Sequence, residues 1–178
     1  MSNRQTVFQT EWFSIDQEYF DHTDSLRGKP YYRINSPDGV IILAVTETGE
    51  IILIKQFRAA FNQHTLELPG GSIDESESPQ EAAARELYEE TGYLCRSLSH
   101  LSTGRIMMNL HNSRAFAFFG TGAVKDLGFE SKEDTEVVLV TPAHFKELVL
   151  SGQFEQFVAL ALFLLADWKL GIQFVRQS

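Results

Sequence analysis

Gly71-Ser72-Ile73-Asp74-Glu75-Ser76-Glu77-Ser78-Pro79-Gln80-Glu81-Ala82-Ala83-Ala84-Arg85-Glu86-Leu87-Tyr88-Glu89-Glu90-Thr91-Gly92-Tyr93 joins a glycine loop to a helix, and its reading decides the fold. Ser78 is placed to cap the helix, Pro79 to fill its first position and Glu81 to complete a Ser-x-x-Glu capping box. Gly92 supplies the left-handed stop. Glu86, Glu89 and Glu90 stand at i, i+3 and i+4, so their side chains leave one face of the helix. Three carboxylates within a turn repel one another, and no lysine in the helix compensates them. A hard divalent cation among the oxygens would make the crowding favourable. A solvated acidic face is the plainer account of a Glu-rich helix, and it suffices for Glu75 and Glu81. It does not suffice for three acids on one face. Arg85 is expected to point away from Glu89 and reach back to Glu77, stapling loop to helix.

The loop is preceded by a run of strand signals. Val7 to Phe20 mixes aromatic and polar residues in a strand-like pattern, Asp24 to Pro30 is a turn-rich break, and Tyr31 to Ile34 resumes a strand. After the turn Ser36-Pro37-Asp38-Gly39, Val40 to Val45 reads as a buried central strand. Gly49 then reverses the chain into Ile51 to Phe57, and His64 to Leu68 is a short strand ending at Pro69-Gly70-Gly71. Downstream, Ser97 to Ser102, Ala115 to Phe119 and Glu136 to Val140 are predicted strands. Pro142 to Ser151 and the apolar Glu155 to Leu170 are predicted helices. Strands in the middle flanked by helices give an α+β class or a mixed-sheet α/β sandwich.

The 178 residues suit one domain with a full core, and 43% apolar with 22% charged residues is an ordinary globular composition. A net charge of -9 argues against general binding to nucleic acid or an anionic membrane. It leaves room for a small anionic ligand, since a metal ion and a few arginines invert the field locally. Cys95 is the only cysteine, so a reducing compartment is expected. Met1 to Thr6 lacks the apolar stretch of a secretory signal, and Phe157 to Ala166 is about half the ~20 residues that span a bilayer. The cytoplasm is the expected location.

The spacing from Gly71 to Tyr93 (Gly, five residues, Glu77, seven residues, Arg85-Glu86-Leu87, one residue, Glu89-Glu90, one residue, Gly92, a bulky residue) resembles the signature of the Nudix hydrolases at every defined position. Pro37-Asp38-Gly39-Val40, Gln56-Phe57-Arg58 and Leu66-Glu67-Leu68-Pro69-Gly70-Gly71 resemble its ADP-ribose pyrophosphatase branch, and the likeness covers most of the chain. The resemblance implies an α/β/α sandwich around a mixed sheet, preceded by antiparallel strands. It implies residues 1–36 as an N-terminal, dimerising extension and residues 37–178 as the hydrolase domain of a homodimer. It implies hydrolysis of a nucleoside diphosphate linked to another moiety, dependent on Mg2+ with Mn2+ as a substitute. Glu86, Glu89 and Glu90 would hold metal and position water, a main-chain oxygen of Gly70 or Gly71 would join them, and Glu77, Arg85 and Gly92 would hold the scaffold.

Arg58 would face the phosphates, although an arginine ending a strand also suits a salt bridge to a surface carboxylate. Trp12 could stack on a nucleobase, with packing against a second subunit as its simpler role. The segment Arg105-Ile106-Met107-Met108-Asn109-Leu110-His111-Asn112-Ser113-Arg114 departs from the ADP-ribose group. Met108 stands where a proline is usual, and Ser113 where a glutamate is usual. Arg105, His111 and Arg114 are candidates to contact phosphate there, and Glu130, Glu133 and Glu136 are acids that could fold over the site. Two other functions compete: a nucleotide-binding module without turnover, favoured by the missing acid, and a pyrophosphatase that sanitises nucleoside triphosphates.

Overall fold

The computed structural model describes residues 4–20, 24, 26–131, 134–172 and 174. Glu133, part of the break at 24–30 and the first three residues lie outside them. The chain divides into two compact units, residues 1–38 with 104–115, and residues 39–103 with 116–178. The first unit therefore takes in a segment from the middle of the chain as well as its N-terminal strands.

In the first unit β1 (Gln5–Gln9), β2 (Ser14–Tyr19) and β3 (Pro30–Asn35) form an antiparallel sheet in the order β1-β2-β3. Its interior is polar. The buried Asp16 accepts hydrogen bonds from Thr6 Oγ1 at 2.8 Å and Asn35 Nδ2 at 2.7 Å and pairs with Arg4, while the buried Glu18 pairs with Arg33 at 2.8 Å. Partners of this kind are what allow carboxylates to be buried. The segment 104–115 joins β3 through a parallel bridge of Ile34 to His111, with Ile34 N donating to Leu110 O and Asn112 N to Ile34 O. Arg114 closes it with a forked bond to Asp38 at 2.9 and 2.7 Å.

The second unit is built on a seven-stranded sheet. Its path runs β10 (Thr135–Val140), β5 (Ile51–Arg58), β4 (Gly39–Thr46), β9 (Ala115–Lys125), β7 (Tyr93–Leu94), with β6 (Gln63–Glu67) on β5 and β8 (Ser97–Gly104) on β9. β4 shows why its sequence is a continuous apolar run. Val40, Ile42 and Ala44 enter one apolar cluster with Ala82, Ala83 and Leu87 of α1 (Pro79–Thr91). Ile41 and Leu43 enter another with Phe145 and Leu148 of α2 (Pro142–Leu150) and Leu162 and Phe163 of α3 (Phe157–Leu170). A strand buried on both faces has no polar alternation to offer. One strand was not expected and another was expected too short. β7 lies directly after the Gly92 stop, and β9 continues past Phe119 to Lys125 through Gly120 and Gly122, whose lack of side chain hides the pattern. At Gly120 a Cβ would stand 2.5 Å from Cys95 Sγ, so glycine there answers a close approach.

Candidate active site

α1 begins as its sequence dictates. Ser78 Oγ accepts from Glu81 N, Glu81 Oε2 accepts from Ser78 N at 2.8 Å, Pro79 fills the first turn, and Gly92 closes the helix at φ 67°. The loop before it is laid against β4 as a strand would be: Val40 N donates to Gly71 O at 2.8 Å, and Ile42 N to Pro69 O at 2.9 Å. Both glycines are demanded by close approach. A Cβ on Gly70 would lie 2.3 Å from Val40 O, and one on Gly71 would lie 2.3 to 2.5 Å from the carboxylate of Glu86.

Loop and helix therefore meet at the acids. Glu86 and Glu90 are both buried, whereas the Glu89 side chain is about half exposed. Gly70 N donates to Glu90 Oε2 at 2.8 Å, so one main-chain dipole already addresses that carboxylate. Arg85 makes five hydrogen bonds of 2.9 to 3.0 Å: two to Glu77, one to Ser72 O, one to Glu86 Oε1 and one to Glu89 Oε2. The staple from Arg85 to Glu77 is as expected, but the expectation that Arg85 turns away from Glu89 is corrected. A guanidinium carries five donors in one plane and serves several carboxylates at once. The bonds to Glu77, then to Glu89 and Glu86, raise the Arg85 pKa and outweigh its burial, and the same bonds hold the Glu77 carboxyl below its usual range.

Among the described residues no three His, Cys, Asp or Glu side chains stand together as a preformed metal cluster. Glu86 and Glu89 are instead both bonded to Arg85. The donor set nevertheless fits a hard cation: two buried carboxylates one helical turn apart, beside glycine main chain with no side chain in the way. Of the two main-chain candidates, Gly71 O already accepts from Val40 N.

Arg58 is paired, not open. Its Nε and Nη2 bond Glu67 Oε1 and Oε2, both at 2.7 Å, and Thr65 Oγ1 adds a bond to Oε1 at 2.6 Å. Burial pushes the Glu67 carboxyl up, and these bonds more than offset it, leaving it below its usual range. The charge of Glu90 also acts on Arg58, in the same direction as that of Glu67. Arg105, His111, Arg114 and Trp12 belong to the first unit. There Arg105 bonds Asn112 O, Arg114 bonds Asp38, His111 is held in the bridge to Ile34, and Trp12 is 73% exposed. Sequence reasoning passed over Glu67, although an acid three residues before Gly70-Gly71 and an arginine ending the preceding strand are a legible hairpin pair.

The NUDIX domain family model matches residues 35–166. The chain is 37% identical over 101 residues to an ADP-ribose pyrophosphatase of Bacillus subtilis (strain 168), covering 54% of this chain and 55% of that protein. It is 32% identical over 103 residues to an ADP-sugar pyrophosphatase of Mus musculus, covering 52% and 47%. These matches span about half the length of each curated relative. A crystal structure of an ADP compounds hydrolase superposes with a TM-score of 0.81 at 23% identity, over 98% of this chain and 96% of that one, a likeness of fold.

Proposed function

We propose, since this chain belongs to the Nudix family, that it is a pyrophosphohydrolase splitting the diphosphate of a nucleoside diphosphate linked to another moiety, and releasing a nucleoside monophosphate. The observation that carries this reading is the pair Glu86 and Glu90, buried side by side against the glycine loop. Burying two carboxylates on one helical turn is costly unless cationic partners repay it. Arg85 supplies one such partner, and a divalent ion, Mg2+ or Mn2+, would supply another. Glu86, Glu89, Glu90 and the main chain of Gly70 or Gly71 would hold that ion, which would supply neutralisation of charge on the phosphoryl oxygens.

The chain's own groups do the remaining work. Gly70 N–H fixes the Glu90 carboxylate, which would orient a water or a proton. Arg85 holds Glu86 and Glu89 and ties the loop through Ser72 O and Glu77. Arg58, held by Glu67 through two bonds, would turn its guanidinium to a diphosphate oxygen. Arg105, His111, Arg114 and Trp12 are further substrate contacts in this reading. The exposed aromatic residues of the first unit (Phe8, Trp12 and Tyr32 among them) support assembly as a homodimer, and the cytoplasm is the proposed location. The likeness to ADP-ribose and ADP-sugar pyrophosphatases supports this substrate class.

Incubating the protein with a panel of nucleotide sugars and dinucleotides, with and without magnesium, and identifying the products tests the proposal. A nucleoside monophosphate formed only with the metal is the expected result. Failure to cleave any member would favour a binding module without turnover, the reading to which Met108 and Ser113 point.

A further inference from the structure

Glu90 is held at both of its ends. Its carboxylate takes the Gly70 N–H at 2.8 Å, and its main-chain oxygen takes a hydrogen bond from Thr135 Oγ1 at 3.0 Å. The last four carbonyls of a helix have no donor within it, and a final turn without outside partners frays. α1 runs to Thr91, so this acid lies in the final turn, one residue before the helix ends. Gly92 N serves Tyr88 O through the left-handed stop and does not reach Glu90 O or Thr91 O. Side chains from the end of β9 and the start of β10 serve them. Lys125 Nζ donates to Thr91 O, lying 4.8 Å from the Phe129 ring centre and 5.3 Å from that of Tyr93. Its charge opposes the negative end of the helix dipole, where α1 has no basic residue of its own. Asp126 N donates to Gly92 O at 2.9 Å, and Tyr88 OH donates to Asp126 Oδ2 at 2.8 Å. Among these groups, Thr135 is the one that bonds the main chain of a site acid.

We infer that Thr135 is a positioning residue for Glu90: its hydroxyl ties the final turn of α1 to the central sheet and so keeps the Glu90 carboxylate at the Gly70 N–H. The inference rests on the hydrolase reading above for what Glu90 does. Thr135 is well placed for the task, because it opens β10 and stands opposite Gln56 in a strand paired with β5 along its whole length. A sheet residue moves little, and a hydrogen bond from it transfers that rigidity to a helix end that would otherwise fray. An acid that holds metal tolerates little displacement, since misplacement of about 1 Å at a reacting centre is costly. Thr135 acts on the main chain of Glu90 and makes no bond to its carboxylate. Its loss is therefore felt in turnover and in metal affinity, and not in the affinity for nucleotide.

Two variants of the full chain test this. Thr135→Val removes the hydroxyl and keeps the branched shape that suits a strand, and Thr135→Ser keeps the hydroxyl. On any cleaved substrate Thr135→Val is expected to lower kcat about fivefold, the factor of one ordinary hydrogen bond, with KM for the nucleotide unchanged. Without substrate, it is expected to raise by a similar factor the magnesium concentration that half-saturates the rise in melting temperature. Thr135→Ser is expected to restore both. Wild-type kcat in Thr135→Val, or a loss that Thr135→Ser does not restore, overturns the assignment, as does a lowered melting temperature with kcat and the magnesium response unmoved. If the wild type cleaves no diphosphate, the hydrolase reading fails and the magnesium response alone decides. A half-saturation raised in Thr135→Val and restored in Thr135→Ser then upholds the positioning role, and an unchanged one overturns it.

Discussion

Gly71 passes so close to Glu86 that a methyl group on residue 71 would stand within 2.5 Å of the carboxylate, whereas on Gly70 it would stand 2.3 Å from the main-chain oxygen of Val40. The two neighbours thus meet different obstacles, one the end of a side chain and the other the backbone of β4.

Gly71→Ala and Gly70→Ala should accordingly fail in different ways. In Gly71→Ala the Glu86 carboxylate is displaced, so activity should fall at least ~100-fold while the melting temperature moves little. In Gly70→Ala the clash is with main chain, and stability should fall by about 1–3 kcal/mol, as overpacking does. Thermal melts beside initial rates for both variants decide this, and equal losses of stability would show that the obstacles are equivalent.

Glu90→Gln should reduce hydrolysis at least ~100-fold, the scale for removing a preorganised electrostatic element. The amide keeps an oxygen for the Gly70 N–H, so folding should survive. Near wild-type turnover at saturating magnesium would remove Glu90 from the metal site.

Magnesium should raise the melting temperature of the wild type, because an ion that binds only the assembled site favours the native state by mass action. The increment should shrink in the Glu86→Gln, Glu90→Gln double variant. The same increment in both proteins would place the ion elsewhere.

The ion pair of Arg58 and Glu67 should leave its mark on acid stability. Glu67 has a folded-state pKa below its unfolded value of about 4.3, so its contribution is complete above that value and is lost as pH falls through the folded pKa. Glu67→Gln should cost about 1–2 kcal/mol at neutral pH, the worth of charge-assisted bonds partly open to solvent. The difference from wild type should shrink as pH falls below the unfolded value and vanish below the folded-state pKa. Urea melts at several pH values test this, and a difference that persists at acid pH would mean that packing, not charge, is lost.

ADP-ribose should be a slow substrate, because Ser113 stands where the ADP-ribose group usually has an acid, and Ser113→Glu should raise its hydrolysis. The segment that carries Ser113 is held at both sides, by Asn112 to Asn35 and by Arg114 to Asp38, so a new side chain enters a fixed frame. Rapid ADP-ribose turnover by the wild type, unchanged in Ser113→Glu, would sink this account of the loop.

What could be read in the sequence was what short-range rules govern. The capping box at Ser78, the stop at Gly92, the β4–β5 hairpin around Gly49 and the i, i+3, i+4 acids all depend on residues close in the chain, and each element is present. Arg85 was legible only in part, because spacing says which groups are within reach and not how a five-donor group divides itself among them. The bond from Gln63 Nε2 to Glu155 Oε2 was invisible for a different reason. Gln63 and Glu155 lie far apart in sequence and are ordinary polar residues until the fold brings them together.

The main-chain bonds from β4 to the glycine loop carry one more consequence. A slip of β4 by one residue would exchange the sets that face α1 and α2–α3, and it would also detach Pro69 and Gly71 from Ile42 and Val40. Core sorting and loop placement are then a single choice made once, when the strand finds its alignment. A chain that packs its two cores correctly has already set the distance between Gly70 and Glu90, and selection on stability alone would tend to preserve that spacing even where activity is not under test.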